Sequence, residues 1–125
     1  MLLILCVGAG GFLGAVARYI VGGWVQDLLQ KPSFPYGTLT VNVVGCLLIG
    51  ALMGLVESRQ LFGPEIRAFL LIGLLGGFTT FSTFGYETMA LIRGGETVAA
   101  VANVSLQVGL GLAAVWSGYS LSRLA

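Results

Sequence analysis

Histidine is absent from this sequence, cysteine occurs twice, and only 9% of the residues carry a charge. Each scarcity closes a class of function. Without histidine, and with Cys6 and Cys46 far apart rather than in a C-x-x-C pair, the usual Cys/His zinc sites, haem attachment and a His-dependent catalytic triad are excluded. Both cysteines sit in apolar runs and read as small buried apolar residues. Six Lys/Arg against five Asp/Glu leave a net charge of +1, which supplies no basic patch for nucleic acid. A soluble domain carries about 25% charged residues, so this chain cannot clothe a water-facing surface. Disorder is excluded as well, because disordered chains are polar and charge-rich. Three prolines and no Gly-X-Y period exclude collagen despite 20 glycines. What is abundant is apolar: 57% of 125 residues are hydrophobic, and the mean hydropathy is +0.98. The sequence is that of an integral membrane protein.

A helix needs about 20 mostly apolar residues to cross a bilayer. Four segments qualify, at about 2–24, 36–56, 66–92 and 97–122, giving one all-α, four-helix transmembrane domain over 1–125. Arg18 is the single charge in the first; the second and fourth have none. The N-terminal stretch lacks the basic start of a signal peptide and no polar mature chain follows it, so it reads as a span. The connections are short. Residues 26–35 hold Asp27, Lys31, Pro32 and Pro35, which is turn chemistry. Residues 58–64 hold Arg59, Gly63 and Pro64, with Pro64 suited to a first helical turn. Arg93-Gly94-Gly95-Glu96 is a tight turn.

Glycines recur at four-residue spacing: Gly10 with Gly14, Gly50 with Gly54, Gly73 with Gly77. Such pairs let helix backbones approach closely in lipid, either within one chain or across a dimer, and the pattern leaves both open. The run 8–14 has the wrong spacing and context for a dinucleotide loop. Short-loop cations set membrane orientation. With four spans, Arg59, Arg67 and Arg123 fall on one side, and Lys31, Arg93 and Arg18 on the other. That balance casts almost no vote, so copies inserted both ways, pairing antiparallel, are the sharper expectation.

The third span carries the most chemistry. Its midpoint lies near Thr79, where Gly76-Gly77 precede Thr79-Thr80. Glycine weakens a helix and threonine competes for backbone partners, so a helix broken at mid-membrane is expected. Backbone freed at that depth must be buried or line a watery cavity, and broken helices offer it to ions. Phe81 and Phe84 share one face, and Ser82 and Thr83 point elsewhere. Ring edges are positive and suit a small anion; two core phenylalanines with hydroxyls bonded back to the helix is the plainer reading. Arg18, near the end of its span, costs about 2.5–3.5 kcal/mol in hydrocarbon on insertion scales and faces a vestibule or partner. Asn42 lies one turn after Thr38, and Asn103, Gln107 and Gly111 form a polar stripe. Such residues are either functional or interhelical glue.

Three segments, in order, carry a family resemblance. Gly10-Gly11-Phe12-Leu13-Gly14-Ala15-Val16-Ala17-Arg18-Tyr19, Gly37-Thr38-Leu39-Thr40-Val41-Asn42-Val43-Val44-Gly45 and Gly76-Gly77-Phe78-Thr79-Thr80-Phe81-Ser82-Thr83-Phe84 resemble the first three helix motifs of the Fluc (CrcB) fluoride channels. The resemblance covers nearly the whole chain. It implies a dual-topology homodimer with two antiparallel pores, in the cell's inner (plasma) membrane, exporting fluoride passively from the cytoplasm. It implies a structural sodium ion at the dimer centre, on the backbone carbonyls of Gly76 and Thr79 of both copies. Phe81 and Phe84 would line the fluoride path, Asn42 would donate its amide there, Ser82 and Thr83 would form a hydroxyl track towards Glu87, and Arg18 would stand in the vestibule. Asn103 occupies a position where that family commonly has an aromatic, and Gln107 one where it commonly has serine, which leaves the fourth-helix lining open.

Three other functions compete. A four-helix proton-coupled drug exporter needs a carboxylate within its first helix, and the span 2–24 has none. A membrane scaffold explains the glycines but not the mid-span polar cluster. An enzyme needs a nucleophile–base constellation; of the five acids, only Glu87 lies away from span ends and loops.

Overall fold

The computed structural model describes residues 1–30, 33–59 and 61–124. Every regular element among them is helical: α1 (Leu2–Leu29), α2 (Tyr36–Arg59), α3 (64–78), α4 (Phe81–Arg93) and α5 (Thr97–Leu124). With 64–93 taken as one apolar run, four helical segments are long and apolar enough to cross a membrane.

The ends differ from the hydropathy boundaries. α1 runs past Trp24 to Leu29 and stops where Gln30 turns left-handed, at φ 47°. Polar Gln26 and Asp27 are compatible with a helix; their polarity marks where apolar surroundings end, not where backbone bonding ends. Gln26 instead latches the following loop. Its Nε2 donates to the Phe34 carbonyl at 3.0 Å, and its Oε1 accepts the Gly37 amide at 3.1 Å. Asp27 is exposed there. Lys31 and Pro32, which the sequence places in the same turn, lie outside the described residues. α2 likewise continues to Arg59. Pro64 opens α3, as its fixed φ favours, and Arg67 Nε holds the Phe62 carbonyl at 3.1 Å across the preceding turn.

Between Ala68 and Leu75, α3 is a π-helix, bonded i→i+5 in wider turns than an α-helix. At its glycines this stretch meets α1 backbone to backbone. Gly10 and Gly14 face the backbone of Phe69, Gly73 and Leu74. A Cβ on Gly73 would stand 2.7 Å from the Val7 carbonyl, and one on Gly77 2.6 Å from that of Gly11. The second seam joins α2 to α5, with Gly50 against the Val115 carbonyl, Gly118 against that of Leu47, and Gly54 against Ser122. The four-residue glycine pairs are therefore used inside the chain. The buried apolar core is correspondingly thin: Val41, Val56, Ala68, Leu75, Phe78, Leu91 and Ala100. Large side chains such as Ile4, Phe12, Val98 and Trp116 point outward, which suits hydrocarbon rather than water. Cys6 and Cys46 are free and half-buried.

Candidate functional site

The site grows from the interval between α3 and α4. Two β-branched residues in succession favour extended backbone, and Thr79 (φ −89°, ψ 158°) and Thr80 (φ −151°, ψ 120°) both adopt it. Thr80 then caps α4, its Oγ1 accepting the Thr83 amide at 3.2 Å, as a threonine before a helix start does. The amide of Thr80 would ordinarily close a turn on the Gly76 carbonyl. It goes instead to Asn42 Oδ1 at 2.8 Å, while Asn42 Nδ2 donates to the Thr80 carbonyl at 3.0 Å. Asn42 thus clasps Thr80 by both backbone groups, as a neighbouring strand would. The same Nδ2 donates to Gln107 Oε1 at 3.0 Å, so one carboxamide ties α2 to the interval and to α5.

Two cavities meet at Thr80. The first, of 680 Å³, is lined by Arg18, Gln26, Thr38, Thr80, Thr83 and Glu87 among others. Arg18 sits about 16 Å before the end of α1, and its Nη1 reaches the Thr79 carbonyl at 3.4 Å. The sequence places this arginine near a span end; its guanidinium instead reaches the helix interruption. Thr38 Oγ1 donates to Glu87 Oε1 at 2.7 Å, and the other carboxylate oxygen is buried without a partner. The second cavity, of 370 Å³, is lined by Asn42, Thr80, Phe81, Phe84, Gln107 and Gly76 among others.

Phe81 and Phe84 form a T-shaped pair, centroids 5.4 Å apart and planes at 62°. Phe81 is 83% exposed and Phe84 half-buried. Ser82 and Thr83 are exposed, with Thr80 Oγ1 donating to Thr83 Oγ1 at 3.0 Å and lying 3.3 Å from Ser82 Oγ. The Thr83 hydroxyl accepts from Thr80, and Thr83 lines the first cavity. Asn42, Phe81, Phe84, Ser82 and Thr83 are thus gathered around the interruption, with Arg18 lining the first cavity.

The two carbonyls at the end of α3 suit a hard cation. That of Gly76, on an exposed residue, has lost its helical donor to Asn42. That of Thr79 has only the long Arg18 contact. The Gly76 carbonyl lies at the C-terminal, negative end of a helix, and Thr79 Oγ1 is turned back onto the Leu75 carbonyl at 3.0 Å. Among the described residues no three His, Cys, Asp or Glu side chains come together.

On α5, Asn103 is fully buried. Its Nδ2 donates to Thr88 Oγ1 at 3.0 Å, and Thr88 donates to the Phe84 carbonyl at 2.8 Å. Asn103 is therefore tied to the backbone that carries Phe84, while Gln107 reaches the second cavity. Sequence reasoning missed Thr80 as the hub, although a threonine three residues before the Thr83 amide is an N-cap signal. The Thr38–Glu87 link spans 49 positions and leaves no local signal.

A family model described as CrcB-like protein, Camphor Resistance (CrcB), matches residues 5–119. The fluoride-specific ion channel FluC of Rhizobium meliloti (strain 1021) is 48% identical over 122 residues, covering 96% of this chain and 95% of that protein. That of Geobacter metallireducens is 47% identical over 123 residues and 98% of each chain. The fluoride-specific ion channel FluC 3 of Methanosarcina barkeri is 43% identical over 122 residues, covering 98% of this chain and 91% of that one.

Proposed function

The chain belongs to the CrcB family, and from that premise we propose that it is a fluoride channel, a passive route out of the cytoplasm that confers fluoride resistance. It is a multi-pass membrane protein of the inner (plasma) membrane, and not an enzyme. The observation that carries the reading is the interruption at Thr79–Thr80, clasped by Asn42 between a polar vestibule and a ring-lined cavity. Fluoride is small and strongly hydrated, so a pore must replace its water with donors that do not hold it too tightly. Arg18 attracts the anion to the vestibule. The Thr83 hydroxyl, with Ser82 beside it, takes over part of the hydration shell. The edges of Phe81 and Phe84 carry positive potential and pass the ion on. Among the described residues no lysine or arginine lines the ring cavity, so none of them traps it. HF enters cells as a neutral acid and dissociates, and the membrane potential then drives the anion out. The drug-exporter alternative lacks its carboxylate, since the only acid of α1 is Asp27, exposed in the last turn.

Purified protein in sealed vesicles should release fluoride and retain chloride when a potassium ionophore supplies the counter-current. Equal release of both anions, or of neither, contradicts the reading. In the same assay Thr79→Ser should conduct like the parent. The carbonyls of Gly76 and Thr79 would hold the sodium ion, which supplies fixed positive charge between copies, and the Thr79 hydroxyl is already spent on Leu75. A Thr79→Ser protein with lost flux would count against carbonyl ligation.

A second copy completes the path. Phe81 is 83% exposed within an apolar span, and Gly76 and Gly85 beside it are exposed too, so the single chain leaves the conduit open on one flank. The functional unit is an antiparallel homodimer, its two-fold axis in the membrane plane, with two oppositely directed pores. With Arg18 drawn inward, the loop cations stand at Arg59, Arg67 and Arg123 against Lys31 and Arg93, close enough for both insertions. A C-terminal reporter should be found on both faces of the membrane, and two lysines appended to the C terminus should pull the population to one orientation. A reporter confined to one face would rule out dual insertion.

A further inference from the structure

One buried donor beside the ring cavity has no acceptor, and its identity follows from the hydrogen-bond network. Thr80 N–H can only donate, so the Asn42 atom facing it at 2.8 Å is Oδ1. The other Asn42 atom is then Nδ2, whose two hydrogens go to the Thr80 carbonyl and to Gln107, each at 3.0 Å. Gln107 must therefore present Oε1 to Asn42, and its Nε2 turns away. That nitrogen is buried and has no partner. Both N–H groups of Asn42 are engaged, and Gln107, not Asn42, holds spare donors. Among the described residues the two other buried polar atoms without partners, Glu87 Oε2 and Asn103 Oδ1, are not donors, and Asn103 is not among the residues lining the ring cavity. A buried amide N–H2 with no acceptor is destabilising, which is the state expected of a donor waiting for a mobile anion.

We propose that Gln107 is a specificity-determining residue of the channel: its Nε2 donates to fluoride beside Phe81 and Phe84, and Asn42 is the positioning residue that fixes which end of the Gln107 carboxamide is offered. The assignment rests on the fluoride-channel reading. An amide is neutral, so it replaces hydration water without binding the ion as a guanidinium would, and its short, linear N–H contacts favour the smallest, hardest halide.

The test is Gln107→Glu in vesicles at neutral pH. Glutamate keeps the length of the side chain and an acceptor for Asn42, and exchanges only the Nε2 donors for a negative oxygen. Fluoride efflux should fall about 10- to 100-fold, the range of one hydrogen bond to a charged group, and should recover as the pH is lowered and the carboxyl regains a proton to donate. Gln107→Met, which removes acceptor and donor together, should lose flux at every pH. If Gln107 serves only as the acceptor for Asn42, Gln107→Glu conducts normally while Gln107→Met does not; that outcome overturns the assignment, as does normal flux in both. A second measurement needs no variant. In the nitrogen-15-labelled parent, the Gln107 side-chain amide signal should shift on adding fluoride and not chloride, and a signal indifferent to fluoride overturns the assignment. Parent protein that releases no fluoride overturns the channel reading itself, so the two failures are distinguishable.

Discussion

Asn42→Asp should abolish fluoride conduction, reducing efflux by about 100-fold or more, and should lower the stability of the protein. The reason lies in what each atom of the carboxamide does. An aspartate Oδ1 still accepts the Thr80 amide. Its second oxygen, however, replaces Nδ2 and is brought against the Thr80 carbonyl and Gln107 Oε1, two acceptors that now meet a third. Each half-buried acceptor left without its donor costs about 1–3 kcal/mol. The Gln107 amide then rotates to satisfy the new carboxylate, and its donors are withdrawn from the ring cavity. An ionised carboxylate also adds an acceptor-only negative group to an anion path. Efflux and thermal unfolding measured on the same preparation check both parts. If Asn42→Asp conducts like the parent at neutral pH, the residue is interhelical glue and the path runs elsewhere.

Phe81→Ile and Phe84→Ile should each lower fluoride flux by about 30-fold while leaving a folded, paired protein. Isoleucine keeps bulk and apolarity and removes the ring quadrupole. Taking the attraction of an anion to the ring edge as equal in size to that of a cation to the ring face, about 2 kcal/mol once desolvated, its loss is about 30-fold in rate. The T-shaped contact between the rings means that losing either also frees the other to tilt. Phe81 makes little core in the single chain, being 83% exposed, so its loss should read out in flux rather than in unfolding. Parental flux in both variants would reduce the pair to packing.

Composition and apolar runs were enough to locate four spans, because lipid imposes a length and a polarity that any 20-residue window reports. Helix ends were legible only to a few residues: Gln26 and Asp27 are polar, but the helix bonds through them until Gln30. The Gly76-Gly77-Phe78-Thr79-Thr80 stretch pointed to irregular backbone, since its propensities are local. What holds that backbone was not legible, because Asn42 and Thr80 are 38 positions apart and Asn42 and Gln107 are 65 apart. The glycine spacing announced close approaches without naming partners, and the seams turned out to lie between α1 and α3 and between α2 and α5. Arg18 read as a span-end cation because sequence distance says nothing of how far a long side chain reaches.

Those glycine seams set how the conduit can respond to its ion. Where Gly73 meets the Val7 carbonyl and Gly118 that of Leu47, no rotamers exist to flip, and widening either seam requires whole helices to part along their length. Interfaces packed this way are stiff against small displacements. The bore beside Thr80 is therefore held by rigid bodies, with only tips such as the Gln107 amide and the Thr83 hydroxyl left to adjust. On the proposed path, discrimination among halides would then come from fixed spacing rather than from a wall that yields to whatever enters.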